Sequence, residues 1–135
     1  MTNRHANRET FLADIITTAL EGGIGYWSRA TAYRWYSPDL TGGTAEPATN
    51  GGGNAYASIE EHGDSETPLA TWEITPDIIV KGLTKIRSHE PIKYLGNHTR
   101  ATMINADRQN DASLIDADVA DQIVQVSLFG EVVYG

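Results

Sequence analysis

Gly25-Tyr26-Trp27-Ser28-Arg29-Ala30-Thr31-Ala32-Tyr33-Arg34-Trp35-Tyr36 holds five of the chain's eleven aromatic residues and directly follows a helical pattern that stops at Gly22-Gly23. Read as an extended strand, it alternates its side chains between two faces. Trp27, Arg29, Thr31, Tyr33 and Trp35 then share one side, and Tyr26, Ser28, Ala30, Ala32, Arg34 and Tyr36 the other. Ser28, Ala30 and Ala32 make a low surface on which a helix can lie close. The Trp27, Arg29, Tyr33 and Trp35 side is a flat aromatic platform with a cation inside it, able to bury in a core, form an oligomer interface or stack a planar ligand.

Upstream of this block, Phe11, Leu12, Ile15, Ile16, Ala19 and Leu20 recur with helical spacing over residues 8–21. Asn7 is the expected N-cap, and Gly22-Gly23 the expected left-handed stop. Downstream, residues 37–53 carry five glycines and two prolines, which no regular element tolerates, so a flexible loop or lid is expected there. Residues 54–61 and 69–74 read as short strands joined through His62-Gly63-Asp64-Ser65-Glu66, completing a three-stranded antiparallel meander.

Thr75-Pro76-Asp77 has the order of cap, proline at the first helical position and acid in the first turn. The helix it opens presents Ile78, Ile79, Gly82, Leu83 and Ile86 and is closed by Pro91. Gly82 costs about 1 kcal/mol relative to alanine in a helix, which predicts a close approach by another backbone. His89-Glu90 is placed to satisfy the carbonyls at that helix's end. A helix over 97–108 rests on Ala101, Met103 and Ile104, and Asp116 caps a last helix that ends at Gly130. The tail Glu131-Val132-Val133-Tyr134-Gly135 is apolar enough to predict docking on the core or on another subunit. The fold class that follows is α+β: one domain over residues 1–135, with a small antiparallel sheet packed against three or four helices.

At 135 residues the chain can bury one sizeable core without cross-links. It has no cysteine and no long apolar span, which predicts a cytoplasmic protein with no membrane partner. A formal charge of −8 with only ten basic residues argues against nucleic acid as a partner. The bases are scattered, with Arg8, Arg29 and Arg34 early and a looser group at Lys81, Lys85, Arg87 and Lys93, so a local pocket for a small anion stays open. The four histidines lack metal-ligand spacing, and no metal or other cofactor is expected. Asp107-Arg108-Gln109-Asn110-Asp111-Ala112-Ser113 lacks the central glycine and closing glutamate of a calcium loop. It is either a polar interhelical loop capped by its own side chains or the wall of a pocket that reads phosphate or ribose. No nucleophile motif or phosphate-cradling loop is present, so catalysis ranks below binding.

Thr18-Ala19-Leu20-Glu21-Gly22-Gly23-Ile24-Gly25-Tyr26-Trp27-Ser28, together with the segment from Ala120-Asp121-Gln122-Ile123-Val124-Gln125 to Leu128-Phe129-Gly130-Glu131-Val132-Val133-Tyr134-Gly135, resembles a group of small bacteriophage and prophage proteins, mainly actinobacterial. The resemblance extends through Tyr33–Tyr36 and Ala106-Asp107-Arg108. It implies a phage accessory protein acting in the host cytoplasm and carries over no catalytic residue. With the residue reading, it yields the expectation of a homo-oligomer that sequesters a small nucleotide-type host immune signal without turnover. Trp27 or Trp35 would stack the base, Arg29 or Arg34 and Arg108 contact phosphate, and Asp107 or Asn110 accept ribose hydroxyls, with Tyr33 completing the platform. The alternative is an inhibitor that binds a host protein through its acidic or aromatic surface.

Overall fold

A sequence that alternates strand and helix patterns with well-formed caps should build one sheet and lay its helices on one side of it. The computed structural model describes residues 4–36 and 54–135, and the 37–53 segment lies outside the described residues. The order is α1 (Arg4–Thr18), a π-type turn (Ala19–Gly23), β1 (Ser28–Tyr36), β2 (Asn54–Glu61), β3 (Ala70–Ile74), α2 (Pro76–Arg87), α3 (Asn97–Gln109), a short 3-10 turn (Ala112–Leu114) and α4 (Ala117–Phe129). The three strands form an antiparallel meander in the order β1-β2-β3. The fold is α+β.

The caps form as their residue types dictate. Thr75 Oγ1 accepts from Ile78 N at 3.2 Å ahead of Pro76, and Asp116 Oδ1 accepts from Val119 N at 2.9 Å. Gly130 ends α4 with φ +80, and Asn110 ends α3 in the same left-handed region at φ +52. Asp111 Oδ1 then accepts from both the backbone and the hydroxyl of Ser113, so the polar loop caps itself.

Three local expectations are corrected. Helix α1 starts at Arg4, so Asn7 lies inside it rather than capping it, and Arg8 gains a helical position from which it reaches α3. Gly22 and Gly23 do not end the helix by left-handed geometry: the chain widens into the π-type turn, and Ile24 N donates to Ala19 O at 2.9 Å. Gly23 serves a close approach instead, because a Cβ there would sit 2.7 Å from Ala117 O. At the end of α2 it is Arg100, not His89, that satisfies the carbonyls, donating to Ile86 O at 2.9 Å, Glu90 O at 2.7 Å and Lys85 O at 3.3 Å.

The core lies between the sheet and the helices. Phe11, Leu12, Ile15 and Ile16 of α1 face Ala55, Ala57 and Ile59 of β2, with Ile79, Leu83 and Ile86 of α2 and Ile123 and Val124 of α4 completing it. Helices α2 and α4 meet at Gly82, where a Cβ would fall 2.0 Å from Ser127 Oγ and 2.9 Å from Ser127 Cα. The close approach predicted at Gly82 is thus present. Among the described residues no helix is long and apolar enough to cross a membrane.

Candidate functional site

The platform on the aromatic strand is not formed as the alternation predicts. Ala30 pairs with Ile59 and Ala32 with Ser58, so Thr31 is an extra residue in β1, a β-bulge. Every residue beyond a one-residue insertion changes face. Before the bulge, Arg29 pairs with Glu60 on the outer face; after it, Tyr33 pairs with Ala57 on the helix side, and Arg34 with Tyr56 on the outer side. Trp35 pairs with Ala55 in the backbone register, and its side chain lies outside the described residues.

The side chains follow the register. Arg29 donates to Glu60 Oε1 at 2.7 Å from a side chain that is 72% exposed. Tyr33 OH lies 2.8 Å from Thr17 Oγ1 of α1. Ala30 and Ala32, expected under a helix, are exposed, and α1 packs on β2.

Trp27 leaves the platform for a different reason. It precedes β1 in a turn, where Ser28 N donates to Ile24 O at 3.1 Å and the Trp27 carbonyl accepts from both His62 N and Gly63 N. Its indole is fully buried, stacked on Tyr134 with ring centres 5.2 Å apart and edge-on to Phe129 at 5.5 Å. Its Nε1 donates to Asp121 Oδ1 at 2.8 Å. The expectation that Trp27 stacks a ligand is corrected: its ring is a core residue, sealed by the chain's own tail.

Asp121 is the centre of a network that single-segment reading does not reveal. Besides Trp27, it accepts from Tyr26 OH at 2.5 Å and from Gln125 Nε2 at 2.8 Å. Gln125, fully buried, takes hold of the tail through its amide: Oε1 accepts from Val133 N and Tyr134 N, each at 2.7 Å, and Nε2 donates to Tyr134 O at 2.9 Å. Tyr134 OH donates to Glu61 Oε2, and Trp72 Nε1 to Glu61 Oε1 at 2.9 Å. The apolar tail docks on its own core. The bond to Glu61, with burial second, pushes the Tyr134 phenol up to about 12, and burial together with Asp121 raises Tyr26.

Two clefts flank this scaffold. The first, about 310 Å³, is lined by Arg8, Arg87, Ile104, Asp107, Arg108 and Asn110. The Asp107 carboxylate, only 2% exposed, is paired with the guanidinium groups of both Arg8 and Arg87. Arg8 also donates to Asp107 O at 3.0 Å and Asn110 Oδ1 at 2.9 Å, and its guanidinium lies over the Phe11 ring. The second cleft, about 670 Å³, is bounded by Tyr26, Tyr94, Asp118, Asp121, Gln122 and the tail.

Of the residues predicted from sequence, Asp107, Arg108 and Asn110 therefore meet at one cleft, whereas Trp27, Arg29, Tyr33 and Arg34 are dispersed among the core and both sheet faces. Asp107 is turned inward, so it organises two arginines rather than facing a ribose. Sequence reading missed Arg8 and Arg87 as partners of this cleft, and no local pattern marks them: Arg87 meets Asp107 through the packing of α2 against α3, and Arg8 by the reach of its side chain from α1. Among the described residues no group of three or more His, Asp or Glu side chains could hold a metal ion. Comparison of the chain with known protein families, with curated proteins and with solved structures finds no match.

Proposed function

We propose that the chain binds a small phosphate-bearing ligand, of the class of nucleotides and nucleotide second messengers, without turning it over, in the cleft of Arg8, Arg87 and Arg108. One observation carries this reading: in a protein of net charge −8, three guanidinium groups line one concavity against a single carboxylate among the described residues. Guanidinium forks match phosphate oxygens in pairs, and a local excess of positive charge attracts anions whatever the sign of the whole molecule. Arg8 and Arg87 are oriented by Asp107, so they meet a ligand with little further loss of freedom. Arg108 is exposed, and among the described residues its side chain is held by a 3.3 Å bond to Asn105 Oδ1 alone, which leaves most of its donors for an incoming phosphate.

The aromatic strand has no part in this reading, and base stacking is not invoked. In the phage setting implied by the resemblance, withdrawal of a host signal nucleotide is the matching role. Isothermal titration with pyrophosphate, cyclic dinucleotides and cyclic ADP-ribose isomers tests it. Saturable binding that weakens with salt, and falls roughly tenfold or more in Arg108→Ala at unchanged melting temperature, is the expected result. A folded sample that gives no heat with any of these ligands rejects it.

A further inference from the structure

We infer that the larger cleft, between Tyr26, Tyr94, Asp118 and the tail, is a binding site for an organic cation, a substituted ammonium group. Its volume of about 670 Å³ is in the range of small-molecule sites. Its charge is one-sided: Asp118 and Asp121 line it, and no Lys, Arg or His does so among the described residues. Asp118 stands in the first turn of α4, whose N-terminus offsets about half a charge. That leaves a clear negative excess.

Asp121 adds a feature that a surface acid lacks. It is 6% exposed, and its three partners, the Trp27 indole, the Tyr26 hydroxyl and the Gln125 amide, are all neutral donors. No ion pair to Asp121 is present among the described residues, so its charge is solvated by dipoles but not cancelled. The field of such a group reaches into the adjoining cleft with little screening.

The walls supply the second half of cation recognition. Tyr26 is 52% exposed, yet its ring is fixed because its hydroxyl is held by Asp121. A phenol that donates to a carboxylate has a more electron-rich ring face, which strengthens its attraction for a cation. Tyr94 is 82% exposed and stands at φ +66, a region that bulky side chains rarely occupy. Its turn is tied down on both sides, by Leu95 N to Ile92 O at 3.3 Å and by Val132 N to Lys93 O at 3.1 Å. The fold gains almost no burial from this ring and holds it in an unfavourable backbone conformation at the cleft's rim. Display of an aromatic face to a ligand accounts for both facts.

The source of the ammonium group is either a free small molecule or a lysine side chain of a partner protein, and the chemistry is shared. The test titrates the full chain with choline, with neohexyl alcohol, which replaces the charged nitrogen by carbon at the same shape, and with N-acetyl-lysine methylamide. Saturable binding of choline or the lysine derivative, at least tenfold tighter than neohexyl alcohol, is expected, and the tighter of the two cations identifies the source. Tyr94→Ala and Asp118→Asn should each weaken it roughly threefold to tenfold while pyrophosphate binding at the arginine cleft is unchanged. Equal binding of choline and its neutral counterpart, wild-type affinity in Tyr94→Ala, or no saturation by either cation overturns the inference.

Discussion

Replacing Gly82 with alanine puts a single methyl group into the contact between α2 and α4. That methyl would lie 2.0 Å from Ser127 Oγ, 2.8 Å from Ser127 Cβ and 2.9 Å from Ser127 Cα. Rotating the serine hydroxyl away removes the worst overlap, at the loss of its 2.7 Å bond to Ile123 O, but the other two atoms are fixed by the helix. Both remain well inside the roughly 3.5 Å at which carbon atoms attract, so the helices must separate by about 0.5–1 Å. Overpacking of this kind costs about 1–3 kcal/mol and the lost bond about 1 more, offset by about 1 from alanine's better helix propensity. A net loss of about 1–3 kcal/mol lowers the melting temperature of a domain this size by roughly 3–10 °C. Urea unfolding of Gly82→Ala, Ser127→Gly and the double variant gives the coupling directly: Ser127→Gly removes two of the three offending atoms, so the double variant should be more stable than the sum of the singles predicts by over about 1 kcal/mol. A Gly82→Ala variant that melts at or above the wild-type temperature, or a strictly additive cycle, refutes the packing.

Asp121→Ala strips three donors of their common acceptor at a buried position, and a loss of about 3–5 kcal/mol with a red shift in tryptophan emission is expected in urea unfolding; an unchanged midpoint contradicts the network. Because the folded chain holds the Tyr134 proton to about 12 against 10 for the free side chain, this group's contribution to stability is complete below pH 10 and is lost as pH rises from 10 to about 12. Denaturant midpoints across that window should fall less steeply in Tyr134→Phe than in the wild type. Asp107→Asn removes the carboxylate among the described residues of the arginine cleft, raising the charge of that lining from +2 to +3; pyrophosphate should bind more tightly while the melting temperature drops, and a joint fall of both would show that the acid's positioning of Arg8 and Arg87 outweighs the charge gained.

Much of the fold is written locally. Thr75-Pro76-Asp77, Asp116 and Gly130 mark helix ends through bonds within four residues of themselves, so the residue types suffice to place α2 and α4. Gly82 could be read as a contact because a glycine inside a good helix has few other reasons to be there. The platform failed in two places: Trp27 precedes β1 and turns into the core, and one surplus residue flips the strand beyond Ala30. Thr31 looks like any other strand residue, and only the pairing with β2 shows that it is surplus. Asp121 and Gln125 escaped notice because a polar residue on a helix reads as solvated, and their partners lie 94 residues upstream and up to nine downstream. The arginine cleft was half legible, through Asp107, Arg108 and Asn110 on one turn, whereas Arg8 reaches it across 99 residues.

The surplus Thr31 has a practical consequence for anyone attaching probes to this sheet. Counting by twos pairs positions 29 and 33, yet spin labels placed there would report from opposite surfaces, while labels at 29 and 34 would share one. Since the chain contains no cysteine, single thiols can be introduced at each site without background reaction, and the phase slip in the strand becomes a distance that can be read directly.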